Sequence, residues 1–256
     1  MSKDITKILE GWNYEPDEII VRIVPGHDGR DKIQMRVDMG LLQMELDGRP
    51  DGARPEGFES WLEHYEEQQR AHDAARPDAS FVLEDEDCYR LWREGLQYYH
   101  RYLSLWHLKD YDRCSRDTGR NLRLFAFVRQ HAHTDRNKFQ FDQWRPYVAM
   151  MHARAVATPL AEKGEFFEAL QAIEAGIDGI RRFLEEYRQS HRADDCMEMK
   201  NLEQWREEVM AEADRAGRGA SARTLLLLER QLREAVDDER FEEAARLRDE
   251  IRRLSG

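Results

Sequence analysis

The spacing of hydrophobic positions changes character once along this chain, near residue 50. Before that point Ile19-Ile20-Val21-Arg22-Ile23-Val24 is β-branched, and Lys32-Ile33-Gln34-Met35-Arg36-Val37-Asp38-Met39 alternates polar and apolar. A period of two marks a half-buried strand. Turn formers fill the gap at Pro25-Gly26-His27-Asp28-Gly29-Arg30, and Leu41 to Leu46 extends the segment toward a third strand before the turn cluster Asp47-Gly48-Arg49-Pro50-Asp51-Gly52. A sheet of two or three antiparallel strands is too small to stand alone. Its apolar face, Ile33, Met35, Val37 and Met39, is therefore expected to pack on the helix that follows.

Beyond residue 50 the period is helical. Phe58, Trp61, Leu62 and Tyr65 fall at i, i+3, i+4 and i+7, predicting a helix over about 57–75 that Pro77 ends. The acidic run Glu84-Asp85-Glu86-Asp87 suits a helix N-terminus. It leads into a long stripe of Tyr89, Leu91, Trp92, Leu96, Tyr99, Leu103 and Trp106. After the polar bend Lys109-Asp110 comes a second helix with Leu122, Leu124, Phe125 and Val128, then a loop over His133 to Asp142. Trp144, Tyr147, Val148 and Met151 open another long helix reaching Lys163, and its partner runs from beyond Gly164 to Tyr187. A further helix from Cys196 to Ala213 carries Met199, Leu202, Trp205, Val209 and Met210, and Arg215-Ala216-Gly217-Arg218-Gly219-Ala220-Ser221 reads as a flexible linker.

The turn at Gly164 and the helix after it resemble a tetratricopeptide repeat, with Ala157, Ala169 and Gly176 where small residues let two helices cross. Lys109-Asp110-Tyr111-Asp112-Arg113-Cys114 is a weaker copy. The two turns stand about 55 residues apart, well over the roughly 34 of that repeat. Tyr102 also occupies a position where a small residue belongs. The body therefore reads as elongated helical hairpins stacked side by side.

The last segment has its own logic. Leu225, Leu228, Leu232 and Ala235 form one apolar stripe, the polar run Asp237 to Arg240 breaks it, and Phe241, Ala244, Ala245, Ile251 and Leu254 form a second. Two such helices joined by a short turn make an antiparallel hairpin, which Ala244 and Ala245 would let close tightly. Phe241, the one aromatic in the segment, is expected to anchor it by burial. A piece of this size lies below the roughly 40 residues that stabilise themselves by burial. It must dock on its own body, on a copy of itself or on a partner.

The ordered set Phe241-Glu242, Ala244-Ala245, Arg248-Asp249 and Ile251 closely resembles the UVR motif. This helical hairpin ends the excision-repair protein UvrB and recurs in UvrC, in the Clp ATPase subunit ClpC and in its adaptor McsA. The resemblance covers about an eighth of the chain and implies docking between proteins without catalysis. On that reading the partner-binding residues are Leu228, Leu232, Phe241, Glu242, Ala245, Arg248, Asp249 and Ile251. The helicase core of UvrB and the nuclease domains of UvrC are absent from the sequence, so their activities do not carry over.

The expected architecture is mainly α. A small α+β segment spans 1–80, a helical-hairpin body 81–213, a linker 214–224 and the terminal hairpin 225–256. Composition agrees, since 36% charged residues and seven prolines suit a highly helical chain while 41% hydrophobic residues supply its core. The net charge of −12 lies in the body, because Arg balances Asp and Glu from Gly217 onward. An acidic body repels phosphate, which disfavours broad nucleic-acid binding. No run approaches the roughly 18 apolar residues of a membrane span. The opening Met-Ser-Lys-Asp-Ile-Thr-Lys lacks the apolar core of a signal peptide, and Cys88, Cys114 and Cys196 form no disulfide or zinc spacing. A reducing cytoplasm is the expected compartment.

Candidate chemistry is sparse. His131 and His133 sit two apart, on different helix faces. His100 and His107 share a face without a carboxylate or cysteine to complete a ligand set. Asp28, Asp31, Asp47 and Asp51 each lie near a glycine, as turn residues do. No phosphate loop, nucleophile elbow or nucleotide fingerprint is present. The chain is thus expected to be a non-catalytic adaptor or scaffold, needing no cofactor or metal. Its expected partner is another UVR-bearing protein of nucleotide excision repair, a Clp-type ATPase or a second copy of itself. The alternative is an enzyme whose site lies in the N-terminal β segment, with the hairpin as a docking tag. Converging polar side chains in a pocket there would favour it.

Overall fold

The computed structural model describes residues 4–255; Met1 to Lys3, part of the opening stretch read above, and Gly256 lie outside the described residues. The chain is mainly helical, with a three-stranded antiparallel sheet near its N-terminus and a helical hairpin at its end. It divides into two compact units, Met1–Val148 and Ala149–Gly256.

The first unit opens with the short helix α1 (Thr6–Leu9) and the strands β1 (Val21–Pro25), β2 (Asp31–Val37) and β3 (Gly40–Glu45), in the order β1-β2-β3. Ile33 pairs with Ile23 on one side and Met44 on the other. It is fully buried, as expected, but its polar neighbours Lys32 and Gln34 are buried too, while Met35 and Val37 are half-buried, so burial along β2 does not alternate. Met39 is a correction. Val37 pairs with Gly40, so Asp38 and Met39 form a two-residue turn, and Met39 is 91% exposed.

Four helices complete this unit: α2 (Trp61–Ala75), α3 (Asp85–His107), α4 (Tyr111–His131) and α5 (Asp135–Asp142). The neighbours of the sheet include a helix further along the chain than expected, since β2 packs on α3. Ser60 caps α2 by accepting from the Glu63 N–H at 3.2 Å, and a capping box of Glu84 and Asp87 starts α3. α3 and α4 pair as a hairpin. Of the expected α3 stripe Leu91 is buried, Trp92, Tyr99, Leu103 and Trp106 are half-buried, and Tyr89 and Leu96 turn outward; the buried face runs instead through Leu91, Tyr98, Tyr102 and Leu105. The loop expected over His133 to Asp142 is helix α5. Thr134 caps it by accepting from the Asn137 N–H, and buried Phe141 pins it to the core.

Charged groups tie these layers together. Arg101 and Asp117 are both almost fully buried and pair through two contacts of 2.6 and 2.9 Å, on facing helices α3 and α4. The remaining Arg101 nitrogen donates to the carbonyls of Glu45 and Gly48, fastening the loop after β3 to α3. Buried Glu94 accepts from the N–H groups of Trp61 and Leu62, so a side chain of α3 satisfies the start of α2. Its charge is met by Arg120 and, at 3.3 Å, by Arg49.

Helix α6 (Arg145–Glu162) runs across the division, and the second unit continues with α7 (Phe166–Glu186), α8 (Met197–Arg215), α9 (Gly219–Asp237) and α10 (Phe241–Ser255). Ala157 and Ala169 are fully buried, and Gly176 lies against Ala153 and Leu202. The small positions therefore do serve close helix packing. They build helical hairpins, and nothing further ties the body to a tetratricopeptide repeat. Several helices end alike: the residue after the cap takes a left-handed conformation and the next N–H bonds back to the last turn, a Schellman motif. Gly164 and Gly217 serve this way, but so do Lys109, Arg188 and Glu239, with φ of 58°, 54° and 59°.

The stretch Arg215 to Ser221, read as a flexible linker, is a tight turn at 216–218 between two helices. Its glycines have local reasons. Gly217 supplies φ of +72°, and a Cβ on Gly219 would meet Asp214 Oδ1 at 1.8 Å.

Candidate interaction surface

α9 begins inside the second unit and stays on it. Gly219, Ala222 and Leu225 are buried, and the helix packs on α7 and α8. Polar bonds fix the same side. Arg218 donates to the Gly164 carbonyl at 2.7 Å, and Arg233 reaches Asp178 of α7 at 3.1 Å. The hairpin is thus held by its own chain through its first helix.

α10 takes its packing from α9. Ala235 and Ala244 are buried where the two meet, so small residues do bring the backbones close. The Schellman turn joins them: Glu239 N–H donates to Val236 O at 3.1 Å and Arg240 N–H to Ala235 O at 2.7 Å. Leu228, Leu232, Ala245 and Ile251 are half-buried, as is Leu247, which the stripe reading passed over.

The residues expected to bind a partner fall into two groups. Leu228, Leu232, Ala245 and Ile251 contribute to the seam of the hairpin, whereas Phe241, Glu242, Arg248 and Asp249 face solvent. The expectation that Phe241 anchors the hairpin by burial is corrected, since it is 67% exposed at the first position of α10. Arg248 and Asp249 pair with each other at 2.8 Å. Val236, Leu254 and Leu227 are also exposed apolar side chains on the hairpin. Several of its charges form short-range pairs: Arg240 with Asp238 and Glu243, and Arg253 with Glu250.

The N-terminal sheet carries a hollow of about 790 Å³ whose lining includes Arg22, His27, Asp28, Lys32, Gln34 and Glu45. Polar groups do converge there, but on one another. Lys32 bonds Asp28 and Glu45, and Gln34 bonds Arg22 and Gln43. The bond from Lys32 holds the Asp28 carboxyl well below the usual carboxylate range, and the same contact raises Lys32. Both are locked in their charged forms, the opposite of tuning toward proton transfer near neutrality. Thiol chemistry is equally suppressed, because burial pushes Cys88 up to about 11 and Cys114 up to about 12. Among the described residues, no three His, Cys, Asp or Glu side chains converge as metal ligands.

Compared with known proteins, residues 224–256 match the family model of the UvrB/uvrC motif. The match starts within α9 and covers the hairpin turn and α10. Comparison with curated proteins and with solved structures gave no match. The C-terminal hairpin therefore carries a UVR motif, joined to a helical body that these comparisons did not match.

Proposed function

We propose that this chain is a non-catalytic adaptor that docks a protein partner through α10 and the adjoining rim of α9. One observation carries the reading: α10 has α9 as its packing neighbour and leaves Phe241 in solvent. Exposed aromatics are what binding hot spots are made of. The partner class is a protein bearing its own UVR hairpin, of the excision-repair kind, or a Clp-type ATPase; a second copy of this chain is the next candidate. The balanced charge of the hairpin argues against phosphate-driven DNA binding, and we place the protein in the cytoplasm, where its three unpaired thiols would stay reduced.

The test compares the full chain with a variant lacking 241–256. Each is titrated against a UVR-bearing partner and against duplex DNA over a salt series. The reading expects partner binding that vanishes with α10 and changes little with salt. Tight DNA binding that falls steeply as salt rises, with no protein bound, would overturn it.

A second reading places an enzyme site in the hollow on the N-terminal sheet, with the hairpin as its docking tag. The convergence of polar groups there favours it, and their mutual pairing weighs against it. Turnover of any substrate that survives deletion of 241–256 but is lost in Lys32→Met would support that reading over the adaptor.

A further inference from the structure

The first unit contains a second feature, independent of the hairpin, whose chemistry points to a ligand. It is a cavity of about 200 Å³ enclosed by α3, α4, α5 and the start of α6. Trp92, Leu96 and Tyr99 come from one face of α3, at i, i+4 and i+7. Phe125 of α4 and Phe141 of α5 form the opposite wall, and Trp144 and Tyr147 complete the ring. Leu96 and Trp144 are 45% and 49% exposed, so they stand at its mouth.

Three properties narrow the occupant. No side chain lining the cavity is charged, so an ion entering it would lose hydration without a counter-charge. The rings of the wall meet at right angles: Trp92 with Phe141 at 5.5 Å and 85°, Tyr99 with Tyr102 at 5.5 Å and 89°. Such walls present both faces and edges, which suits another aromatic ring. Finally, Tyr102 also lines the cavity and is 1% exposed, yet its hydroxyl makes no hydrogen bond among the described residues. Nor does that of Tyr147, which burial pushes up to about 12, so both remain neutral hydroxyls able to donate or accept. Asn121 also lines the cavity, and its amide nitrogen gives one of its two hydrogens to the Gly95 carbonyl at 3.0 Å. A ligand that hydrogen-bonds the Tyr102 hydroxyl gains a directed polar contact in an otherwise apolar site.

We propose that this cavity binds a small neutral aromatic molecule of one or two rings bearing a hydrogen-bonding substituent, with Tyr102 as the polar contact. The size fits, as an apolar cavity of about 150 Å³ holds benzene.

The experiment titrates the full chain with phenol and indole, followed by ligand-observed NMR and calorimetry. Toluene is the ring without a hydrogen-bonding group, and tetramethylammonium is the cationic control. Phenol and indole should bind saturably and tetramethylammonium should not. Tyr102→Phe, which removes one oxygen and keeps the shape, should weaken phenol by about twofold to tenfold and leave toluene unchanged. Leu96→Trp, which narrows the mouth, should weaken all the rings. Absence of saturable binding by either ring would overturn the proposal. So would tighter binding of tetramethylammonium than of phenol, or phenol binding that Tyr102→Phe leaves unaltered. If Leu96→Trp fails to fold, the Tyr102→Phe comparison decides alone.

Discussion

Gly176 and Ala153 touch with no space left between their helices: a methyl group on Gly176 would come within 2.7 Å of the Ala153 Cβ and 3.0 Å of Leu202 Cδ1. Gly176→Ala therefore gains helix propensity of about 1 kcal/mol but overpacks a core, which costs roughly 1–3 kcal/mol. Overpacking should win by up to about 2 kcal/mol. Urea unfolding should show a lower midpoint at an unchanged slope, and a midpoint at or above that of the parent would mean the helices can part.

The Arg101–Asp117 pair offers a larger effect. Asp117→Ala leaves a guanidinium buried beside two carbonyls with no counter-charge. Breaking such a pair typically costs about 3–5 kcal/mol. The expected result is a large loss of stability in the first unit. A variant replacing both residues, Arg101→Met with Asp117→Leu, should lose less than Asp117→Ala. If the double variant is the worse of the two, the tie from Arg101 to the Glu45 and Gly48 carbonyls matters more than the charge balance.

Glu239 turns the hairpin with φ of 59°, a conformation that costs a residue with a side chain about 1–2 kcal/mol. Glu239→Gly removes that cost and adds about 0.5–1 kcal/mol of chain entropy lost on folding. The net expectation is a gain of up to about 1 kcal/mol for the hairpin. Amide exchange in α10 should slow accordingly.

Phe241→Ala separates folding from binding. An exposed side chain contributes within about 0.5 kcal/mol to the fold, so the melting transition should hardly move. Affinity for the protein partner should fall by about 2 kcal/mol, near thirtyfold, if Phe241 seats in a partner pocket. Unchanged affinity would remove Phe241 from the interface.

Much of this fold was legible because its elements are long and regularly periodic. The sheet, the paired helices and the terminal hairpin all follow from spacing, and the motif in the hairpin was legible residue by residue from Phe241 to Ile251. Four things were not. α5 is eight residues long, about two turns, too short for a period to declare itself. The glycines at 217 and 219 look like a linker because composition cannot tell a glycine chosen for freedom from one chosen for a left-handed turn or a close contact. Phe241 fits the apolar spacing, yet it sits at the helix's first residue, where nothing from α9 covers it. The buried charges were hidden for another reason. Their partners lie 16 residues away for Arg101 and 26 for Glu94, so only tertiary structure supplies the pairing. One hint was available. Glu94 and Arg101 fall with Tyr98 and Leu105 on one face of α3, and charges set among apolar residues there call for buried partners.

Because α10 leans on one helix while α9 is wedged between it and α7 and α8, the two halves of the motif need not come undone together. α10 can peel away at the cost of one seam, leaving α9 seated. That makes the terminal helix a cooperative unit of its own, with an opening free energy below that of the whole domain. Proteases should find the turn around Glu239 first, and amides of α10 should exchange ahead of those at the start of α9. A partner that grips the outer side of α10 would close this weakest latch, so docking would show itself as protection spreading inward from the end of the chain.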